Sequence, residues 1–116
     1  MTDGIIGGVY RPRPVDEEPD AILTRWRVYE VSVPGTPVTR HFVGHNLITG
    51  DGRVSSPIQS WAVIKREGIT ASGRRYRLEG PYGTGMDSQY VFGVWCLRNR
   101  IDKDDLRDVS QEYEDG

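Results

Sequence analysis

Five short segments of β-type sequence, parted by glycine and proline turns, crowd the stretch from Ile22 to Glu79, and that spacing points to a small barrel or a strongly bent sheet. The first segment, 22–33, is rich in Val, Thr, Trp and Tyr. Trp26 and Val28 share one face, and Tyr29, Val31 and Val33 then continue in the opposite phase, which calls for a bulge near Val28 or a strand covered on both faces. Pro34-Gly35-Thr36-Pro37 is a turn by its chemistry, so 38–43 returns as the second half of a hairpin. Gly50-Asp51-Gly52 marks 45–53 as a loop. A third strand carries Val54, Ile58, Ala62 and Ile64 on one side, with Pro57, which has no donor for a ladder, arguing for an edge or a bulge. Residues 69–71 make a short fourth strand. In the fifth, 75–79, Tyr76 and Leu78 point one way and Arg75, Arg77 and Glu79 the other.

The last apolar run, Tyr90 to Leu97, fits a strand buried on both faces and, better, a helix. Tyr90, Val91, Val94, Trp95 and Ile101 fall on one helical stripe, Asp87 stands where an N-cap belongs, Met86 and Val91 are placed as a staple, and Arg98 and Arg100 suit a helix C-terminus. Phe92 fits this stripe worst. The expected fold class is mostly β (α+β): a small five-stranded bent sheet or SH3-like barrel with one C-terminal helix and flexible acidic termini. The chain divides into an acidic, Pro-rich arm (1–20), a single globular β-rich domain (21–101) and an acidic tail (102–116) expected as a frayed helix or disordered. With 116 residues there is room for one core, and at 36% hydrophobic residues against 28% charged that core has little apolar surplus.

Charge is unevenly spread. Residues 1–20 hold five acidic and two basic side chains and 102–116 hold seven acidic and two basic, whereas 21–101 hold eleven basic and five acidic. A basic body thus lies between acidic arms, which either screen it or imitate a polyanion toward a partner. The single cysteine, Cys96, rules out an intrachain disulfide and the zinc patterns that need several thiolates, and fits a reducing compartment. The first residues lack the apolar stretch of a secretory leader, and no run approaches the roughly 20 apolar residues of a bilayer span, so the expectation is a cytoplasmic protein with no membrane partner.

Catalytic chemistry finds little to work with. His41 and His45 straddle a strand end and a loop with no carboxylate to complete a site, so they read as structural. Cys96 sits in an apolar run, with no base to make it a nucleophile. Gly80-Pro81-Tyr82-Gly83-Thr84-Gly85 lacks the Gly-Lys-Ser/Thr ending of a phosphate loop and reads as a connector. No Gly-x-Ser-x-Gly elbow is present, and the carboxylates concentrate in the arms. The expectation is a non-enzyme with no catalytic residue, no metal and no cofactor. Trp26, Trp61 and Trp95 read as core.

The constellation that remains is cationic: Arg74, Arg75 and Arg77 beside Tyr76, Arg25 and Arg27 around Trp26, with Arg40 and Arg53 near them. Guanidinium forks grip phosphates and carboxylates, and an interleaved aromatic stacks on a base or anchors an interface. The competing reading is that arginines alternate on the solvent face of any soluble sheet.

Trp26, Gly44-His45, Asp51-Gly52-Arg53, Ser56-Pro57-Ile58 and the run from Thr70 to Leu78 (Thr-Ala-Ser-Gly-Arg-Arg-Tyr-Arg-Leu) together form a pattern that covers about half the chain. This pattern resembles a family of small uncharacterised phage and bacterial proteins. The resemblance implies no activity or catalytic residue; it implies a mobile-element accessory protein, for which inhibition of a host complex, as in an anti-CRISPR-type factor, is a common occupation. The first functional expectation is therefore a binding protein that docks on a host protein or nucleoprotein complex. The alternatives are a nucleic-acid-binding module using the basic sheet face and, behind it, a small hydrolase. A homodimer through an exposed strand edge near Pro57 is also open.

Overall fold

The computed structural model describes residues 18–114, so all but the last three residues of the arm lie outside the described residues. It contains seven strands: β1 (Ala21–Val31), β2 (Thr39–Asn46), β3 (Asp51–Val54), β4 (Ile58–Ala62), β5 (Glu67–Thr70), β6 (Arg75–Leu78) and β7 (Leu106–Asp108). The helices are α1 (Met86–Arg98) and the single-turn α2 (Gln111–Glu114), with a 3-10 turn at Lys103–Asp105. The sheet is mixed, in the order β3-β2-β1-β6-β5-β4 with β7 also paired to β1; β1 and β6 run parallel and every other pair is antiparallel. The class is a small, strand-rich α+β fold, and the sheet is not closed into a barrel. No ladder joins β4 to β2: Pro57 has no donor to offer there, and a hollow lined by Val38, Arg40, Trp61 and Tyr113 lies along that side.

The phase flip after Val28 comes from cover on both faces of β1, and the bulge of the strand lies upstream of it. Between Thr24 and Arg27 the register shifts, so that Arg25 and Trp26 oppose Gly44 alone, and Arg25 takes φ 45. The bulge lies three residues before Val28, and it keeps Ala21, Leu23, Trp26 and Val28 on one buried face although their spacing is not strictly two. Beyond it, Tyr29 and Val31 face the other way, where α1 covers them.

The second edge of β1 is shared, and its backbone groups find different partners in turn. β6 takes residues 21–23 and β7 takes 29–31. Between them Trp26 O accepts from Gly83 N–H at 3.0 Å, Val28 O accepts from Val109 N–H at 2.9 Å and Val28 N–H donates to Ser110 Oγ at 2.9 Å. A buried strand edge is thereby satisfied without a continuous neighbour.

The single long third strand expected over 54–64 is two strands, and 51–53, expected in a loop, belong to β3. The turn into it is residues 47–50, where Gly50 has φ 80. The run is helical over Met86–Arg98, with Asn99 and Arg100 in the turn that follows, but it is rotated from the expected stripe. The N-cap is Gly85, with no side-chain bond, and Met86 is 90% exposed, so neither the Asp87 cap nor the staple forms. Phe92, the misfit of the sequence stripe, is the residue the helix buries. It stacks on Tyr29 (ring centroids 4.4 Å, 12°) and on Trp95 (5.7 Å, 17°), whereas Tyr90 faces solvent. The aromatic that β1 presents decided the rotation.

α1 approaches β3 so closely that a Cβ at Gly52 would lie 2.8 Å from the Asp87 carbonyl oxygen and from Ser88 Cα. These are backbone atoms and cannot swing aside. Gly52→Ala is expected to cost about 1–3 kcal/mol, as overpacking does. It should appear as a lower urea midpoint with faster amide exchange in α1; an unchanged midpoint counts against this contact.

The acidic tail is the main departure from expectation. Residues 102–114 are folded onto the domain: β7 pairs with β1, and Val109 and Tyr113 join the core around Trp26, Phe42, Tyr76 and Leu78. Only two apolar side chains are buried, so composition gave no sign of it. Two of its acidic residues pair with arginines of the body, Asp108 with Arg27 (3.0 Å) and Glu112 with Arg40 (2.8 Å), and Arg107 of the tail pairs with Glu30 (3.0 Å).

Candidate functional site

The arginines singled out in the sequence do not form one face. Arg25 is exposed on the bulge of β1 and lines a small hollow with His45 and residues 85–88. Arg27 lies over the Tyr82 ring at 5.0 Å, donates to Gly83 O and Thr84 Oγ1 and pairs with Asp108. Arg40, on β2, reaches Glu30, Glu112 and the Tyr113 hydroxyl; this hydroxyl and the two carboxylates hold its guanidinium charged. The same arrangement holds the Glu30 carboxyl below its usual range, through hydrogen bonds from Arg107 and then Arg40. Arg75 and Arg77 converge, but on Glu67, at 3.4 and 2.9 Å. Arg53 donates to the Tyr76 hydroxyl at 3.2 Å and lies 5.8 Å from its ring centroid. Tyr76 itself is 1% exposed and belongs to the core, so it offers no ring for a base to stack on. Arg74 alone of the β5–β6 group is exposed with no ion pair among the described residues. Each of the others is occupied by a carboxylate or an aromatic of the same chain, apart from the exposed Arg25.

The histidines do not converge either. Both point from β2 toward α1, but His41 lies against Trp95 near the end of the helix (4.7 Å between ring centroids), while His45 lines the hollow beside Met86 at its start. Four strand residues separate them by about 13 Å. Among the described residues, no three His, Cys, Asp or Glu side chains group as metal ligands would. His41 is buried and both its nitrogens are engaged: Nδ1 donates to Ser55 O at 2.8 Å, and Nε2 lies 2.9 Å from Thr39 Oγ1. Burial pushes its pKa below the usual value, and burial likewise pushes the half-buried Cys96 thiol up, away from the nucleophilic thiolate.

The lowered His41 pKa fixes a sign. The unfolded chain takes up the proton first, so the neutral ring's contribution is fully present above about pH 6.5 and is lost as pH falls toward the lower, folded value. Urea midpoints of the wild type should therefore fall below about pH 6.5, and His41→Gln should flatten that part of the curve. An equally steep fall in the variant refutes the assignment.

What the fold does assemble is an apolar cleft of about 660 Å³, walled by Val31 and Val33 at the end of β1, Pro37, Val54 and Pro57, and by Trp95 and Ile101 at the end of α1. His41, Ser55 and Asn99 reach it with polar groups already paired within the chain: Ser55 Oγ accepts from Phe42 N–H and donates to Ser56 O, and Asn99 Nδ2 donates to Trp95 O. Its volume is that of a ligand or anchor pocket, and its chemistry suits apolar groups. Sequence reading missed it because its walls come from four separate segments, and the one signal available, the isolated Trp95 and Ile101, was absorbed into a core stripe. No family, no curated protein and no solved structure matches this chain.

Proposed function

We propose that this chain is a non-enzymatic binding protein that docks on a host protein or nucleoprotein complex, with its cleft at the C-terminal end of α1 receiving apolar side chains of the partner. The observation that carries the reading is the apolar character of that cleft: Val31, Val33, Pro37, Val54, Trp95 and Ile101 wall it, and both nitrogens of His41 are already bonded. Such a pocket is what a partner's anchor residue fills, and a few anchors of this kind carry most of an interface's affinity. Inhibition of a host complex, the occupation implied by the family resemblance, is one form of such docking.

The basic-face alternative has less to draw on, because the arginines it needs are shared with Glu30, Glu67, Asp108 and Glu112. The test compares wild type with Val33→Glu and Ile101→Glu, both half-buried at the cleft, in quantitative capture from a lysate of the host cell. A specific complex lost by tenfold or more in both variants, whose thermal melts match the wild type, supports docking at the cleft. Equal capture by all three proteins refutes it. In parallel, labelled DNA and RNA should show no binding at low salt; affinity whose log–log salt slope spans several phosphates, at about 0.7–0.9 each, would establish the nucleic-acid reading in its place.

A further inference from the structure

α1 has a second apolar side that the described residues leave bare. Opposite the buried Ser88 and Phe92 stand Met86, Tyr90 and Leu97, which are 90%, 74% and 81% exposed, with the exposed Gly93 between them. Positions 86, 90, 93 and 97 recur at intervals of four, three and four, the spacing of the seam along which one helix packs on another. Nothing among the described residues requires glycine at position 93. Its φ is not positive, and a Cβ built there meets nothing within 4 Å, while glycine inside a helix is weaker than alanine. What it supplies is room for another molecule at the middle of an apolar seam.

The seam is complementary to itself. Reversed about the point midway between Val91 and Phe92, Met86 falls opposite Leu97, and Tyr90 falls opposite Gly93, so that each ring meets the gap left by a missing side chain. The flanking charges agree. Asp87 and Arg98 are both exposed and lie on the same flank of the seam, about 90–110° round the helix from it at 100° per residue. In an antiparallel two-fold pair like flanks face each other, which sets Asp87 of one copy within about 3 Å along the axis of Arg98 of the other. In a parallel two-fold pair unlike flanks face each other, so Asp87 and Arg98 of one copy would lie across the seam from those of the other and could not pair.

We propose that α1 pairs antiparallel with α1 of a second copy of this chain, Tyr90 of each packing over Gly93 of the other, and so forms a symmetric dimer. The edge near Pro57 is a poorer route to a dimer, because the proline and the bulge at 58–60 blunt it. This pairing uses the side of α1 remote from the cleft and does not depend on the docking proposal. A single helix face is smaller than the roughly 800 Å² per partner of a standard interface, so association belongs in the micromolar range.

Sedimentation equilibrium of the full chain from about 5 to 500 µM, the range set by that affinity, should show a reversible monomer–dimer equilibrium. Leu97→Lys should leave a monomer with an unchanged melt. Gly93→Leu should raise or keep the melting temperature of the monomer while weakening the dimer at least tenfold, a combination that only an interfacial glycine produces. Asp87→Arg and Arg98→Asp should each weaken the dimer, and the two together should restore it. A chain that stays monomeric throughout the range overturns the proposal, as does a dimer indifferent to Gly93→Leu and Leu97→Lys. Charge reversals that fail to compensate each other overturn the antiparallel arrangement.

Discussion

Removal of residues 106–116 is expected to cost this protein most of its stability, although they were the segment whose composition looked most dispensable. The truncation takes away the β7 ladder on β1, the bond that Val109 N–H donates to Val28 O, the bond that Ser110 Oγ accepts from Val28 N–H, and two core side chains. Tyr113 is 8% exposed, with its ring edge-on to Trp61 (5.1 Å) and Phe42 (6.2 Å) and its hydroxyl accepting from Arg40. Replacing a buried aromatic by alanine costs about 3–5 kcal/mol, and native domains hold only about 5–15 kcal/mol in all. Tyr113→Ala should therefore lower the urea midpoint by more than 1 M at the slope of about 1–3 kcal/mol/M usual for small domains. The truncation should lower it further or leave no cooperative transition. Tyr113→Phe, which keeps the ring and loses the hydroxyl, should cost about 1 kcal/mol. A truncated chain that unfolds at the wild-type midpoint would mean that β7 and Tyr113 are not part of the stable domain.

Trp26→Ala should be the most damaging single substitution. Trp26 is 0% exposed; its Nε1 donates to Gly80 O at 3.0 Å, the Tyr82 ring meets it edge-on at 6.0 Å and the Arg66 guanidinium lies 5.6 Å from its ring. One side chain thus holds the bulge of β1, the 80–83 connector and the β4–β5 turn together. The expected loss is about 3–5 kcal/mol from cavity formation. For a domain of this size that is a fall in melting temperature on the order of 15–30 °C, at the usual 4–8 °C per kcal/mol. Trp26→Phe keeps part of the volume and removes one of the two donors to Gly80 O, leaving Arg66 Nη2 at 3.2 Å, so it should fall between wild type and Trp26→Ala. Calorimetry of both variants checks the order; a fall of less than about 5 °C for Trp26→Ala is incompatible with this packing.

The same two regions show where sequence reading works on this chain and where it fails. The hairpin around Pro34–Pro37, the alternation in 75–78 and the bulge in the first strand were all legible, since each depends on residues within a few positions of one another. The apolar cleft was not legible. The arginine cluster was legible as composition but misleading as geometry: Arg75 and Arg77 do share a side, yet Glu67, eight and ten residues away, takes both, and Tyr76 between them points into the core. In α1 the apolar count was right and the phase was wrong. Several apolar residues on a short helix allow more than one inward face, and the choice fell to Tyr29, which is distant in sequence.

By itself, then, the sequence determined the strand-rich class, most of the turns and the helix over the Tyr90–Leu97 run, because local periodicity and residue inventory suffice for these. Tertiary structure alone decided that the sheet stays open, that the acidic tail completes it, which side of α1 is bare and which arginines are already neutralised. Those outcomes rest on contacts between residues tens of positions apart, whose energies depend on the burial and geometry reached only once the chain has folded.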